Sequence, residues 1–180
     1  TSQGVPVIAC DCPVCRSSDQ HDKRLRTSVL IESNKTALVI DAGPDFRQQM
    51  LRENVKRLDA IVLTHEHKDH ISGMDDVRAF NYKSQDAIDI FAEERVQAAV
   101  RKDYSYVFAE YQYPGIPRMR LNNIPDYGFT VNELTLQPLR IFHYRLPILG
   151  FRLGNFAYIT DANYVPEETK EKLFGVKYLV

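Results

Sequence analysis

LDAIVLTHEHKDHISG, residues 58–73, falls into two halves of different character. Residues 58–63 are apolar and rich in β-branched side chains, which predicts a buried strand. The second half places His65, His67, Asp69 and His70 within six residues. Side chains two apart point the same way on extended chain, so His65 and His67 face one point as the strand ends. Asp69 and His70 are adjacent and aim at a second, neighbouring point if the chain turns into a helix there. Imidazole with carboxylate suits zinc, iron or manganese, and the pattern asks for two ions side by side. A metalloprotease helix would need H-E-x-x-H; Asp69 stands where its second histidine belongs. Chance histidines in a polar loop fit poorly, because three of the chain's five histidines fall directly behind a strong strand.

At 180 residues the chain has the length of one domain, 1–180, and its 44% hydrophobic content supports a sizeable core. A net charge of −1 sets up no global field towards nucleic acid or membrane. No apolar run approaches the roughly 20 residues of a membrane span, and no signal peptide is visible. A cytoplasmic location is expected. Thr1-Ser2-Gln3-Gly4 reads as mid-loop and residues 176–180 as a strand with nothing after it. A fragment trimmed at both ends is therefore expected, which weakens any inference from the missing signal.

The three cysteines form one tight cluster, Cys10-Asp11-Cys12-Pro13-Val14-Cys15. An odd number at this spacing is a poor disulfide framework and a good set of thiolates for a structural zinc, with 10–15 as its loop. Such a zinc wants four ligands. Either His21 closes the site, or a residue beyond Val180 does.

Residues 1–27 read as loop. Strands are expected over 28–32 and 36–40, the second ending in Asp41-Ala42-Gly43-Pro44. Asp41 either orients a metal-bound histidine or serves as a turn or cap acid. Helices are expected over 45–54, 73–83, 92–108 and 166–174, with a strand at 87–91. Residues 104–128, rich in tyrosine and proline, read as a lid or as a packed surface loop. From 129 the pattern is β: 129–131, 134–143 ending in His143, a hairpin of 150–153 with 156–160 about Gly154-Asn155, and 176–180. His143 and Asp161 each follow an apolar β run, as His65 does. Arg78 either clamps a phosphate oxygen or is a surface helix residue.

His65-x-His67-x-Asp69-His70 resembles the signature of the metallo-β-lactamase fold superfamily. Within it the chain is similar to PhnP-like phosphodiesterases, through Cys10-x-Cys12-x-x-Cys15, the RLRTS run of 24–28, Asp41-x-Gly43-Pro44-Asp45-Phe46-Arg47 and Gly73-x-Asp75-Asp76-x-Arg78. The resemblance implies an αββα sandwich, two mixed β-sheets flanked by helices, here incomplete at both ends. It implies two divalent metals, zinc or manganese: the first on His65, His67 and His143, the second on Asp69 and His70, with Asp161 bridging. The last histidine of the second site has no match and is expected beyond Val180. It also implies one structural zinc on Cys10, Cys12 and Cys15, closed by a C-terminal histidine, which makes His21 a bystander. The implied reaction is hydrolysis of a small or cyclic phosphodiester by a hydroxide shared between the metals, with Asp69 and Asp161 in the catalytic set. The general acid is not identified. PqqB-type proteins share a cysteine cluster, so a non-hydrolytic accessory or redox role is the alternative. The expected partner is a small phosphodiester, with no membrane and no nucleic acid; a homodimer is left open.

Structural zinc contributes folding free energy directly. Cys12→Ser is therefore expected to lower the thermal unfolding temperature while leaving the KM of the folded fraction close to that of the unaltered protein. Calorimetry beside steady-state kinetics checks this.

Overall fold

Two sheets of five strands lie face to face in a computed structural model that describes residues 2–180. The mid-loop expectation for Thr1 lies outside the described residues. The first sheet has the order β1 (Val29–Glu32), β2 (Ala37–Ile40), β3 (Ala60–Val62), β4 (Ile88–Ala92), β5 (Met119–Asn123). β1 and β2 are antiparallel and the remaining pairs parallel. The second has the order β10 (Tyr178–Leu179), β9 (Phe156–Tyr158), β8 (Leu146–Leu153), β7 (Leu134–His143), β6 (Phe129–Val131). Only β10 and β9 are parallel there.

Alternation along the strands builds two cores. Leu38, Ile40, Ala60 and Val62 face Leu136, Leu149, Phe151 and Tyr158 between the sheets. Val39 and Ile61, of opposite parity, pack under α2 (Phe46–Arg52), the 3-10 turn Met74–Val77, α4 (Arg78–Ser84) and α5 (Glu94–Asp103) through Phe46, Met50, Val77, Phe80, Val96 and Val100. α6 (Glu167–Leu173) covers β7, where the Thr169 hydroxyl donates to the Arg140 carbonyl. Helices outside, sheets inside: the αββα sandwich is the observed architecture.

Several expected elements are shorter or divided. Of the stretch read as loop, the described residues 2–27 hold one helical turn, α1 (Pro13–Arg16), and a 3-10 turn at Gln20–Asp22. The helix expected over 73–83 is a 3-10 turn, Met74–Val77, followed by α4. The helix expected to reach 108 stops at Asp103, because Tyr104 turns inward and donates its hydroxyl to the Ile71 carbonyl at 2.8 Å. The stretch read as pure loop, 104–128, contains the edge strand β5. β8 begins at Leu146, not 150, joined to β7 by the two residues Tyr144 and Arg145.

The turn after β2 and the segment 69–73 approach each other closely. The Ala42 amide donates to the His70 carbonyl at 2.7 Å, and the Gly73 amide to the Ala42 carbonyl at 2.8 Å. A Cβ on Gly43 would lie 1.9 Å from the Asp69 carbonyl oxygen, and one on Gly73 2.0 Å from the Gly43 carbonyl oxygen. Only glycine permits this contact. Gly43→Ala is expected to cost roughly 1–3 kcal/mol by overpacking and to weaken metal binding at Asp69 and His70. Denaturant unfolding and a metal titration on one preparation would show both losses together.

Candidate metal centre

The site lies where strand ends from both sheets meet. Asp41 ends β2, and His65 follows β3 after Thr64. His67 precedes α3 (Lys68–Ile71), which carries Asp69 and His70. His143 is the last residue of β7, and Asp161 follows β9. The sequence-predicted ligands are thereby brought together. His65 Nε2 lies 3.1 Å from His67 Nδ1 and 3.6 Å from Asp161 Oδ2. His70 Nε2 lies 2.9 Å from Asp161 Oδ2 and 3.4 Å from Asp69 Oδ2. The His143 ring centre is 5.3 Å from that of His67 and 6.0 Å from that of His65. Ligand atoms of His65, His70 and Asp161 all fall within 4.8 Å of one another.

A buried hydrogen-bond chain sets the histidine tautomers. The Thr64 hydroxyl donates its one hydrogen to Asp41 Oδ2 at 2.8 Å. Towards His65 Nδ1, 2.9 Å away, it can then only accept. The proton of His65 is thus on Nδ1, and its Nε2 lone pair faces the cluster. Asp41 Oδ2 also accepts from His70 Nδ1 at 2.7 Å, and the Thr64 amide donates to Asp41 Oδ1 at 2.9 Å. Of the two roles left open for Asp41, this geometry fits the orienting one: a carboxylate behind a histidine whose other nitrogen faces the cluster. Thr64 was missed as a functional residue. Its only sequence signal is its place directly before His65.

The histidines are shifted in opposite directions. Burial, followed by the fields of His70 and His67, pushes His65 down to about 3. Burial also works against a charged His70, but its hydrogen bonds to Asp161 and Asp41, with the fields of Asp41 and Asp69, outweigh it and raise His70 to about 10. The His70 hydrogen bond holds Asp161 down at about 2. A neutral buried imidazole and an ionised carboxylate are the forms that bind a cation, and this mixed nitrogen and oxygen set fits zinc, manganese or iron.

The backbone at the site is unusual. Asp41, Tyr144 and Asp161, none of them glycine, adopt left-handed φ of 62°, 55° and 54°. Around the ligands, Arg95 pairs with Glu66 and donates to the Pro147 carbonyl. Arg78 is paired with Asp75, which also accepts from the Tyr106 hydroxyl. Among the described residues no hydrogen bond or ion pair joins Arg78 to the histidines, so the geometry favours its reading as a helix-surface residue. Of the two readings of 104–128, the buried Tyr104, Val107 and Ile116 fit the packed one.

The Sγ atoms of Cys10, Cys12 and Cys15 form a second group within 4.8 Å. The Val7 amide donates to Cys15 Sγ and the Cys15 amide to Cys12 Sγ, at 3.4 and 3.5 Å. The Cys15 N–H is the main cause lowering the Cys12 thiol pKa. His21 is exposed, bonds to Asp19 at 2.8 Å and is not in the group.

A family model described as "Beta-lactamase superfamily domain" matches residues 36–180. A crystal structure of a diphosphatase from the PhnP family is 37% identical with a TM-score of 0.90, over 99% of this chain and 69% of that one. Zinc-bound PqqB from Methylobacterium extorquens is 18% identical with a TM-score of 0.74, over 98% of this chain and 68% of that one, which speaks for the fold alone. An octanoyltransferase of Porphyromonas gingivalis (strain ATCC BAA-308 / W83) is 45% identical over 99% of this chain. The chain spans only 36% of that relative's length. Among the described residues no helix is long and apolar enough to cross a membrane.

The shifts fix how stability depends on pH in protein stripped of metal. A raised His70 contributes fully below its unfolded value of 6.5 and loses that contribution as pH rises towards about 10. A lowered His65 favours the unfolded chain as pH falls from 6.5 towards about 3. A lowered Asp161 contributes above 3.8 and loses this as pH falls to about 2. The three together place the maximum near pH 6.5, the value where the two histidine effects meet. Thermal unfolding of chelator-treated protein across pH 3–10 is the check; a maximum displaced to pH 8 or above would contradict these assignments.

Proposed function

Because the chain belongs to the metallo-β-lactamase superfamily and is PhnP-like, we propose that it is a metal-dependent hydrolase acting on small or cyclic phosphodiesters. The observation that carries this reading is the convergence of His65, His67, Asp69, His70, His143 and Asp161 behind an orienting Asp41. His65, His67 and His143 would hold one cation, Asp69 and His70 a second, with Asp161 shared. A divalent pair there supplies Lewis acidity and a water of lowered pKa, the requirements for phosphoryl hydrolysis at neutral pH.

The chain's own groups do the rest. Thr64 and Asp41 hold His65 and His70 with Nε2 towards the substrate side. Asp161 stays ionised throughout the working range. His70 would hold a cation as the neutral imidazole, with its Nδ1–H donated to Asp41. The diphosphatase neighbour supports phosphoryl chemistry. The octanoyltransferase name carries little weight, since most of that relative lies outside the match. Cys10, Cys12 and Cys15 would hold a structural zinc, which fits their packing and the amides aimed at their sulfurs. The substrate is a small molecule; no strong basic excess favours nucleic acid.

The test is a side-by-side assay of bis(p-nitrophenyl) phosphate, a thioester and a β-lactam on one zinc- or manganese-loaded preparation of the full-length protein. The diester is expected to be fastest, with activity abolished by EDTA and in Asp161→Ala. Asp41→Asn is expected to cost about 10–100-fold in metal affinity or turnover, as loss of such an orienting group does elsewhere. Faster thioester or lactam turnover would overturn the phosphodiester assignment. No turnover of any ester with both metals verified would overturn hydrolysis itself.

A further inference from the structure

The two-residue tip of the β7–β8 hairpin is joined to the metal centre, because β7 ends in the ligand His143 and Tyr144 and Arg145 follow it directly. Tyr144 has a φ of 55°, a left-handed conformation that is unfavourable for a residue with a Cβ. Glycine would sit there without cost. The structure holds tyrosine in place by two contacts. The Tyr144 amide donates to Asn163 Oδ1 at 2.5 Å, and the Tyr144 ring leans on the His143 ring at 5.6 Å between centres. Tyr144 is nonetheless 79% exposed. One side of the phenol is against a ligand histidine and the rest is open to solvent.

Arg145 is exposed beside it. Among the described residues no hydrogen bond or ion pair engages its guanidinium. The other arginines around the site are committed: Arg95 to Glu66, Arg140 to Glu93, Arg78 to Asp75. Nor does the ligand set offer a cation of its own for any anionic group outside the metals. Asp41, Asp69 and Asp161 would repel one. Arg145 is therefore an uncommitted positive charge two residues after His143, on the hairpin tip that leads out of the cluster.

We propose that this tip selects the substrate: Arg145 binds a second, non-reacting phosphate next to the scissile one, and Tyr144 offers its ring to a planar substituent. This deepens the phosphodiesterase reading and rests on it. The substrate class is then a diester of diphosphate, with a nucleoside-type group favoured over an alkyl one. A guanidinium fork fits phosphate oxygens in pairs, and an aromatic face stacks a base with little sequence demand.

The test uses metal-loaded full-length protein and three substrates: bis(p-nitrophenyl) phosphate, a dialkyl diphosphate and a dinucleoside diphosphate. Arg145→Ala is expected to raise KM for both diphosphates about tenfold more than KM for bis(p-nitrophenyl) phosphate, with the effect in KM rather than kcat. Arg145→Lys should fall between, since it keeps charge and loses the fork. Tyr144→Gly should fold at least as well, because its backbone suits glycine. It should raise KM for the dinucleoside diphosphate well above any change for the dialkyl one. Calorimetric binding of inorganic pyrophosphate, weakened in Arg145→Ala, reads the same contact without turnover. Equal KM changes for all three substrates, or pyrophosphate binding unaltered by Arg145→Ala, would overturn the proposal while leaving the hydrolase reading intact. If no diester is turned over, that reading falls first, and the pyrophosphate titration still decides the fate of Arg145.

Discussion

The carboxylate of Asp41 is the constraint on which the site depends. It is fully buried, and a buried charge without partners would be prohibitively costly. Three donors meet it: the Thr64 amide, the Thr64 hydroxyl and His70 Nδ1. To receive them its backbone adopts a left-handed φ of 62°. The strain is offset on both sides of the residue. Its amide donates to the Val62 carbonyl at 3.0 Å, and the Ser28 hydroxyl donates to its carbonyl at 2.8 Å. One acid thereby fixes the end of β3, the turn of α3 and the tautomer of a histidine it does not touch, through the single hydrogen of Thr64.

That fixes only the half of the site that comes from the first sheet. His143 and Asp161 come from the second, and separate contacts keep the halves in register. The Leu149 amide donates to the Thr64 carbonyl at 3.1 Å, so the strand following His143 is tied to the residue preceding His65. Arg95 adds a second tie, spanning Glu66 and the Pro147 carbonyl. The Asp161 loop is held to β7 by the Asn163 and Tyr164 amides, both donating to the Phe142 carbonyl. Sliding one sheet over the other would break these contacts before it separated the ligands. The cross-ties therefore explain how residues 96 positions apart, His65 and Asp161, stay within 3.6 Å.

Much of this was legible in the sequence, because the strongest signals are local. An apolar β-branched run followed by three histidines needs no tertiary information, and His143 and Asp161 announce themselves by the same position after a strand. What was missed depends on contacts distant in sequence. β5 has the composition of a loop, MRLNN, and is a strand only because β4 offers it a parallel edge. The helix expected to run to 108 was cut at Asp103 by the Ile71 carbonyl, 33 positions away, which draws in Tyr104. Thr64 gained its role from a hydroxyl direction that no spacing rule encodes. Between the two readings left open for Arg78, its ion pair with Asp75, a local contact three residues earlier, fits the helix-surface one.

The pair His65 and His70 shows how little residue type decides here. Both rings are buried and their centres are 4.1 Å apart. Burial opposes the charged form of each. What separates them is the atom behind Nδ1. His65 has a hydroxyl that carries no charge, so burial prevails and the ring stays neutral. His70 has a carboxylate behind and another in front, so the ring keeps its proton. The choice of threonine on one side and aspartate on the other thereby gives two adjacent, equally buried imidazoles opposite protonation preferences.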